Sequence, residues 1–343
     1  MTLVSTVLGP LTGITLMLAC APAAEAAPSG PAHGNTEHPA STAASLSALR
    51  GDRDTAGEPS GTVRQSAATA GDGHRGVIDY WTPDRMAAAL PLEYFLEGAA
   101  SAAPPSGTDA PGAHSAPDAT GERWTGGGAA AKTTGKVYLT LNGHDFSCSA
   151  SVVEAANKDS VITAGHCLKD GAGPWVTNWM FIPGYDDGDT PYGRYTARHM
   201  LVPSRWAYQA DDSFDFGMAV LNTVGGSHVQ EETGAQGISF NGDPDGPVYA
   251  FGYPVADRFD GRRLYYCSGG TRPDTSGTTA NGMACSMTEG SSGGPWLSGF
   301  DPGTGSGTIT SVISFKYAND PHTQYGPRLG EEARRLYERA ERL

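Results

Sequence analysis

Two short stretches of the sequence contain residue types that could carry out nucleophilic chemistry together. The first is TAGHC at residues 163–167, in which His166 follows the apolar run SVITAG. The second is MTEGSSGGPW at residues 287–296, where Ser292 lies among glycines that permit tight backbone turns. A histidine held at a strand end can serve as a general base, and the N–H groups of such a turn can stabilise an oxyanion. The alternatives are a structural histidine and a flexible Gly/Ser loop.

A serine–histidine pair of this kind needs a carboxylate that orients the imidazole. The stretch QADDSFDFGMAVL, between the two motifs, offers Asp211, Asp212 and Asp215. Asp215 directly precedes an apolar run, so we expect its side chain to enter the interior. We expect Asp211 and Asp212 to cap a solvated loop, and we therefore predict that Asp215 is the orienting residue.

The segments that must position these residues have the pattern of short β-strands. From about Ala131 onward, runs such as KVYLTLNG, DFGMAVLN and GTITSVISF are separated by turn residues. Only the final stretch, GEEARRLYERAERL, has apolar residues at helical spacing; they are Ala333, Leu336, Ala340 and Leu343. The sequence predicts an all-β body of roughly 200 residues that is closed by one C-terminal helix.

The first part of the chain has a different composition. Residues 1–26 contain a short apolar run followed by Ala24-Glu25-Ala26, which is typical of a cleaved signal peptide and predicts export. Lipid attachment at Cys20, in LMLAC, is the alternative. Residues 27–130 are rich in Ala, Gly, Ser, Thr and Pro, and we predict that they form a largely disordered propeptide.

One island, residues 77–98, interrupts the predicted propeptide. Thr82 and Pro83 have the order of an N-cap and a first helical residue, which predicts a short helix. The neighbouring aromatic residues could dock on the body; they are Tyr80, Trp81, Tyr94 and Phe95. The alternative is a solvated linker with an accidental aromatic cluster.

Charge and cysteine content narrow the possible partners. The formal net charge is -14, with 37 acidic and 23 basic residues, which argues against nucleic-acid binding and against docking on an anionic membrane. Apart from Cys20, four cysteines occur, and in an exported protein they predict two disulfides. The acidic loop at residues 184–193 lacks the ligand spacing of a calcium loop, so we expect a solvated turn there. We predict no metal and no cofactor.

The order TAGHC, DFGMAVL and GSSGGP resembles that of the chymotrypsin-like serine peptidases, in particular their secreted bacterial, glutamyl-endopeptidase-like branch. The resemblance runs from about Gly135 to the C-terminal helix and implies two packed antiparallel six-stranded β-barrels. It implies that Ser292 is the nucleophile, His166 the base and Asp215 its orienting partner, in the cleft between the barrels. The N–H groups of Gly290 and Ser292 would form the oxyanion hole.

The resemblance is also compatible with disulfides Cys148–Cys167 and Cys267–Cys285, although the sequence alone leaves other pairings open. Ser291 stands where the family has an aspartate that pairs with a newly freed N-terminus. We therefore expect that removal of the leader, by which we mean the predicted propeptide, activates the protein by unblocking the cleft.

The resemblance places five residues in or beside the substrate pocket: Ser286, Met287, Ser314, Phe315 and Lys316. Ser286 stands where an aspartate would select Arg or Lys, so we do not expect that preference. Lys316 would either meet a substrate carboxylate or be a solvated surface lysine. Residues 314–316 are expected to form the edge strand that pairs with the substrate backbone.

Together these observations predict a secreted serine endopeptidase, made as a pre-pro-enzyme with its peptidase domain at residues 131–343. Its partners would be protein or peptide substrates, and we expect a monomer without nucleic acid or stable membrane association. Two alternatives are a catalytically inactive binding module with the same fold and an esterase that uses the same three residues.

Overall fold

The computed structural model describes residues 61–69, 71–92, 119–242 and 247–343, together with the backbone of residues 95 and 96. The predicted signal peptide, Cys20 and the predicted propeptide up to residue 60 lie outside the described residues.

The described part of the chain is mostly β-structure, as the sequence predicts. Its strands are β1 (Thr62–Ser66), β2 (Leu90–Pro91), β3 (Phe95–Leu96), β4 (Ala119–Arg123), β5 (Thr134–Leu141), β6 (His144–Val152), β7 (Ser160–Thr163), β8 (Thr177–Pro183), β9 (Tyr195–Pro203), β10 (Gly217–Leu221), β11 (Gly237–Ile238), β12 (Val248–Gly252), β13 (Tyr265–Gly269), β14 (Arg272–Pro273), β15 (Asn281–Ala284), β16 (Pro295–Asp301), β17 (Ser306–Val312), β18 (Phe315–Tyr317) and β19 (Asp320–Gly326). Its helices are α1 (Gly71–Tyr80), α2 (Pro83–Ala88), α3 (Gly128–Thr133), α4 (Ser204–Gln209), α5 (Val229–Thr233) and α6 (Glu331–Ala340), and a 3₁₀ turn covers Asp212–Phe214.

Strands β5 to β10 form a closed antiparallel barrel, which we call barrel 1. Each strand pairs with two neighbours in the circular order β5-β8-β9-β10-β7-β6. The hairpin from β5 to β6 turns at Asn142 and Gly143, whose φ angles of 51° and 81° match the two-residue turn that Asn-Gly predicts. Residues such as Val137, Phe181 and Leu221 fill the core.

The second half of the body carries its strands in two sheets. One has the order β11-β17-β16-β12-β13-β4, and the other has the order β14-β15-β19-β18-β3. The chain leaves β17 at Val312 and enters the other sheet at Phe315, and residues 313 and 314 belong to neither sheet.

Helix α6 closes the body, as predicted. Ala333, Leu336 and Ala340 are buried on one face of this helix, which packs against β9 and β10 of barrel 1. Two glutamates lie in the first turn, where the helix dipole favours negative charge.

The described part of the predicted propeptide is folded against the body. Strand β1 pairs with β9 along its whole length. Helix α2 begins with Pro83 at its first turn, and the Thr82 hydroxyl accepts a hydrogen bond from the Arg85 N–H at 3.3 Å, which confirms the predicted cap. None of the helices in the described ranges has the length and apolar character needed to cross a membrane.

Candidate active site

The candidate site begins where two neighbouring strands of barrel 1 end. Strands β7 and β10 pair antiparallel, and Thr163 at the end of β7 lies opposite Gly217 at the start of β10. His166 follows β7 by three residues, and Asp215 precedes β10 by two. The local order of strand and loop therefore brings the histidine and the carboxylate to the same rim of the barrel.

Asp215 accepts hydrogen bonds from three donors. Its Oδ2 lies 2.7 Å from Nδ1 of His166, and its Oδ1 accepts from the His166 backbone N–H at 2.7 Å. The Ser314 hydroxyl donates to Oδ2 at 2.5 Å. Asp215 is fully buried and His166 is 4% exposed, so these bonds are shielded from water. The arrangement fixes the orientation of the imidazole and places the proton on Nδ1, which makes Nε2 the ring nitrogen that can accept a proton.

Steric contacts explain why residue 165, in the TAGHC stretch, is a glycine. A Cβ atom at Gly165 would lie 2.9 Å from Oδ1 of Asp215 and 2.9 Å from the indole of Trp206. Because real Cβ contacts are longer than this, any larger residue would push the carboxylate away from His166. Asp211 instead accepts a hydrogen bond from the Ser213 N–H and caps the 3₁₀ turn, which agrees with the role expected for it.

Ser292 lies in a tight turn that is wedged between the two halves of the body. Gly290 and Gly293 have φ angles of 89° and 84°. A Cβ at Gly293 would come within 2.0 Å of the Thr163 hydroxyl, and one at Gly294 within 1.8 Å of the Phe251 carbonyl. Only glycine fits at these positions, so the GSSGGP motif is required by packing as well as by backbone conformation.

The turn also contacts barrel 1 directly. The Ser292 carbonyl accepts a hydrogen bond from the Ser149 N–H at 2.7 Å and lies 3.7 Å from Sγ of Cys167. Since Cys167 follows His166 in the chain, the structure brings the histidine, the carboxylate and the serine turn into one region.

The two disulfides predicted from the cysteine content are present, as Cys148–Cys167 and Cys267–Cys285. The first joins β6 to the residue after His166. Cys148, His166 and Cys167 place potential ligand atoms within 4.8 Å of one another. Both sulfurs are consumed by the disulfide, so they cannot bind a metal as thiolates.

The directions of two amide groups follow from the planarity of the peptide bond, which points N–H and C=O in opposite directions. The Glu289 carbonyl accepts from the Val255 N–H at 2.9 Å, and the Ser291 carbonyl accepts from the Gly294 N–H at 3.0 Å. The N–H groups of Gly290 and Ser292 therefore point away from these partners. Neither has a backbone acceptor among the described residues.

A small cavity of about 20 Å³ lies beside Ser292, with room for little more than one water molecule. Its lining residues are Thr288, Glu289, Ser291, Ser292, Ser314, Phe315, Lys316 and Gln324. Three of the five expected pocket residues therefore line it. Thr288 and Glu289 adjoin the GSSGGP motif and could have been proposed from it, whereas no local signal indicates Gln324.

The other two expected pocket residues lie elsewhere. The Ser286 hydroxyl donates to the Thr120 carbonyl in β4, and the Ser286 N–H donates to the same carbonyl at 2.8 Å. Met287 is fully buried in an apolar cluster with Cys267, Cys285 and Trp296.

Lys316 is 8% exposed, so its description as a solvated surface lysine is wrong. Its ammonium group donates to the carbonyls of Cys285 at 2.8 Å and Pro321 at 2.6 Å. Burial lowers the pKa of Lys316 to about 8, although the nearby carboxylate of Glu289 acts in the opposite direction. The lysine therefore combines a structural role at the pocket wall with a positive charge close to it.

The acidic loop at residues 184–193 pairs with distant arginines. Asp186 and Asp187 form ion pairs with Arg263 at 2.5 and 2.6 Å, and Asp187 also pairs with Arg262. These partners lie more than 70 residues further along the chain, so the local sequence gave no sign of them.

Comparisons with known proteins identify the fold and the family. The chain is 39% identical to the crystal structure of Protease Anisep from Arthrobacter nicotinovorans, with a TM-score of 0.59 over 62% of this chain and 96% of that one. It is also 39% identical to the thermostable serine protease AL20 from an extremophilic microorganism, with a TM-score of 0.59 over 62% of this chain and 99% of that one. A Glu endopeptidase shares the fold at 19% identity, with a TM-score of 0.54 over 66% of this chain and 99% of that one.

Two further comparisons add less. No protein-family model matches the chain. An extracellular metalloprotease of Bacillus subtilis (strain 168) is 29% identical over 84 residues, which are 24% of this chain and 26% of that protein. The chain thus spans about a quarter of the length of that curated relative. The two serine proteases matched over nearly their whole length, together with the two-part β-fold, show that the chain belongs to the chymotrypsin-like serine proteases.

Proposed function

We infer that the protein is a secreted serine endopeptidase that hydrolyses peptide bonds with Ser292, His166 and Asp215. The observation that carries this inference is the buried His166–Asp215 pair, 2.7 Å apart, beside the turn that presents Ser292. Its substrates are proteins or peptides, as for the serine proteases it resembles. Two disulfides support an oxidising, extracellular location.

Acylation follows from the placement of the three side chains. Ser292 Oγ attacks the scissile carbonyl carbon while Nε2 of His166 takes the hydroxyl proton. Asp215 holds the imidazole through Nδ1 and stabilises the imidazolium that forms. The C–N bond then breaks, and His166 returns the proton to the leaving amine. Water repeats these steps on the acyl-enzyme and releases the carboxylic acid together with free Ser292.

The N–H groups of Gly290 and Ser292 support the tetrahedral intermediate. Both point away from the carbonyls that fix their peptide planes, and they are suited to donate to the developing oxyanion. The loss of one such donor costs about 3–4 kcal/mol of transition-state stabilisation. The bond from the Ser314 hydroxyl to Asp215 supplies a further constraint on the carboxylate.

A fluorophosphonate probe tests the proposal. We expect the chain, freed of its leader, to be labelled at Ser292 and to hydrolyse fluorescein-labelled casein. Ser292→Ala should abolish both signals, and His166→Ala should reduce them strongly. Labelling without peptide cleavage but with ester hydrolysis would favour the esterase. The absence of labelling in a folded protein would favour an inactive binding module.

A further inference from the structure

Strand β18 is the element that carries this inference. It lies at the end of its sheet next to β3, so without β3 it would be the exposed sheet edge. Its residues Phe315 and Lys316 line the cavity beside Ser292, and the preceding Ser314 bonds to Asp215. An unpaired edge at this position can take up an extended peptide by main-chain hydrogen bonding.

The leader occupies that edge. Phe95 lies opposite Lys316 and Leu96 opposite Tyr317, in a parallel pairing. A few residues earlier, Leu90 and Pro91 of β2 pair with Phe146 and Ser147 of β6, also in parallel, and the Leu92 N–H donates to the Ser147 carbonyl at 3.1 Å. We call β2, Leu92 and β3 the strap.

The strands of the strap pair with elements on both sides of the candidate site. Strand β6 carries Cys148, whose disulfide partner follows His166, whereas β18 lies beside the Ser292 turn. Leu92 and Phe95 are three residues apart, so their Cα atoms lie within about 11 Å of each other. The two described strands of the strap therefore lie on opposite sides of the site, with β2 on the His166 side and β3 on the Ser292 side.

Contacts outside the site anchor the strap. Trp81 is fully buried against Tyr138, Met180 and Ile182, and its indole N–H donates to the Asn178 carbonyl at 2.6 Å. Further along the barrel, β1 pairs with β9 over five residues. These contacts are non-covalent, and they lie entirely on the N-terminal side of residues 97–118.

We propose that the strap is an autoinhibitory strand that occupies the substrate-binding edge β18, and that it stays bound after the chain is cut between Leu96 and Ala119. Activation then has two steps, because the cut leaves the leader in place and activity appears only when the leader dissociates or is degraded. Strand β4 begins at Ala119, within the predicted propeptide, but it pairs with β13, so in this proposal it stays with the body. This proposal rests on the proposed peptidase function.

The test uses the full chain with a recognition sequence for a site-specific protease inserted between Leu96 and Ala119. We expect the cut protein to keep its leader on gel filtration. Its casein hydrolysis should be at least about tenfold lower than that of the same protein freed of the leader, because neighbouring anchors maintain a high effective concentration of the strap.

Three leader variants separate anchoring from blocking. Trp81→Ala should weaken retention of the cut leader by about a hundredfold, since it removes a fully buried indole. The double variant Phe95→Pro/Leu96→Pro should keep the leader bound but restore hydrolysis, because neither residue of β3 can then donate to a strand ladder with β18. Arg75→Ala, which removes an exposed side chain of α1, is the control and should behave like the parent. Equal hydrolysis by the cut parent with its leader bound and by the leader-free protein would overturn the proposal.

A second readout separates this proposal from the peptidase function. In a Ser292→Ala background, amide hydrogen exchange of residues 315–317 should be slower with the parent strap than with the double variant Phe95→Pro/Leu96→Pro. Equal exchange would refute the strap. If no form hydrolyses casein or reacts with a fluorophosphonate while the exchange still differs, the peptidase function fails and the coverage of β18 stands.

Discussion

We predict that Ser149 holds the Ser292 turn against barrel 1. Its buried hydroxyl donates to the Gly290 carbonyl at 2.9 Å and accepts from the Tyr253 N–H at 3.0 Å. Its own N–H bonds to the Ser292 carbonyl, so one residue of β6 contacts the turn at two points. Ser149→Ala removes the hydroxyl and leaves the Gly290 carbonyl and the Tyr253 N–H buried without their partner.

The expected loss of stability follows from these two lost hydrogen bonds. A buried polar group left without its hydrogen bond costs about 1–3 kcal/mol, so for two such groups we expect the free energy of unfolding to fall by about 2–6 kcal/mol. Gly290 also contributes a proposed oxyanion donor. Because the donor is displaced rather than removed, we expect kcat to fall about tenfold to a hundredfold, less than for loss of a donor, with a smaller change in KM.

Ser151→Ala is the matched control. Ser151 lies on the same face of β6 two residues further on, is fully buried, and has a hydroxyl without a hydrogen-bond partner among the described residues. Its removal breaks no bond, so unfolding free energy and kcat should stay close to those of the parent. Urea denaturation in the Ser292→Ala background and steady-state kinetics with active enzyme supply the two measurements. If both alanine variants behave alike, the role assigned to Ser149 is refuted.

Three other substitutions test the site and its surroundings. Gly165→Ala should lower the unfolding free energy by about 1–3 kcal/mol, because the new Cβ crowds Asp215, and should lower kcat with it; denaturation and kinetics check both. Asp215→Asn should lower kcat by about 10⁴ with little effect on KM, because the amide cannot hold the required tautomer of His166. Burial lowers the pKa of Lys136 to about 8. Above that pH the unfolded chain still binds the proton that the folded protein has released, so Lys136 should add a rise in stability of up to about 1.4 kcal/mol per pH unit until about pH 9.5. Lys316, whose pKa burial also lowers to about 8, should add a similar rise. Lys136→Met should therefore roughly halve the total rise and exposed Lys132→Met should leave it unchanged, as measured by denaturation at about pH 8 and about pH 9.5.

The parts of the fold that depend on local sequence could be predicted. The Asn142-Gly143 hairpin, the cap at Thr82 and helix α6 each follow from residues within a few positions of one another. The motifs also indicated which residues the structure would bring together, because a strand end fixes where the next side chain emerges. His166 and Asp215 leave paired strands at the same rim, and their hydrogen bond reflects this arrangement.

Features that depend on tertiary contacts could not be predicted. Lys316 looked like a surface residue because nothing nearby in sequence shows that the carbonyls of Cys285 and Pro321 would surround its ammonium group. The sequence also contains no pattern that predicts strands β2 and β3 of the leader. Each is only two residues long, and each is a strand only because it pairs with β6 or β18. Propensity carries little information over so short a length.

The arrangement of β6 explains why the leader and the candidate site are linked. Strand β7 pairs only with Ser151 and Val152 of β6, which leaves Phe146 and Ser147 uncovered on that side, and β2 takes this place. The next two residues are Cys148, which is disulfide-bonded to the neighbour of His166, and Ser149, which holds the Ser292 turn. A leader that binds here gains its affinity from the same rigid strand that orders the site. Under the two-step activation proposed above, the site would be formed while the leader is bound, and loss of the leader would need only to expose β18.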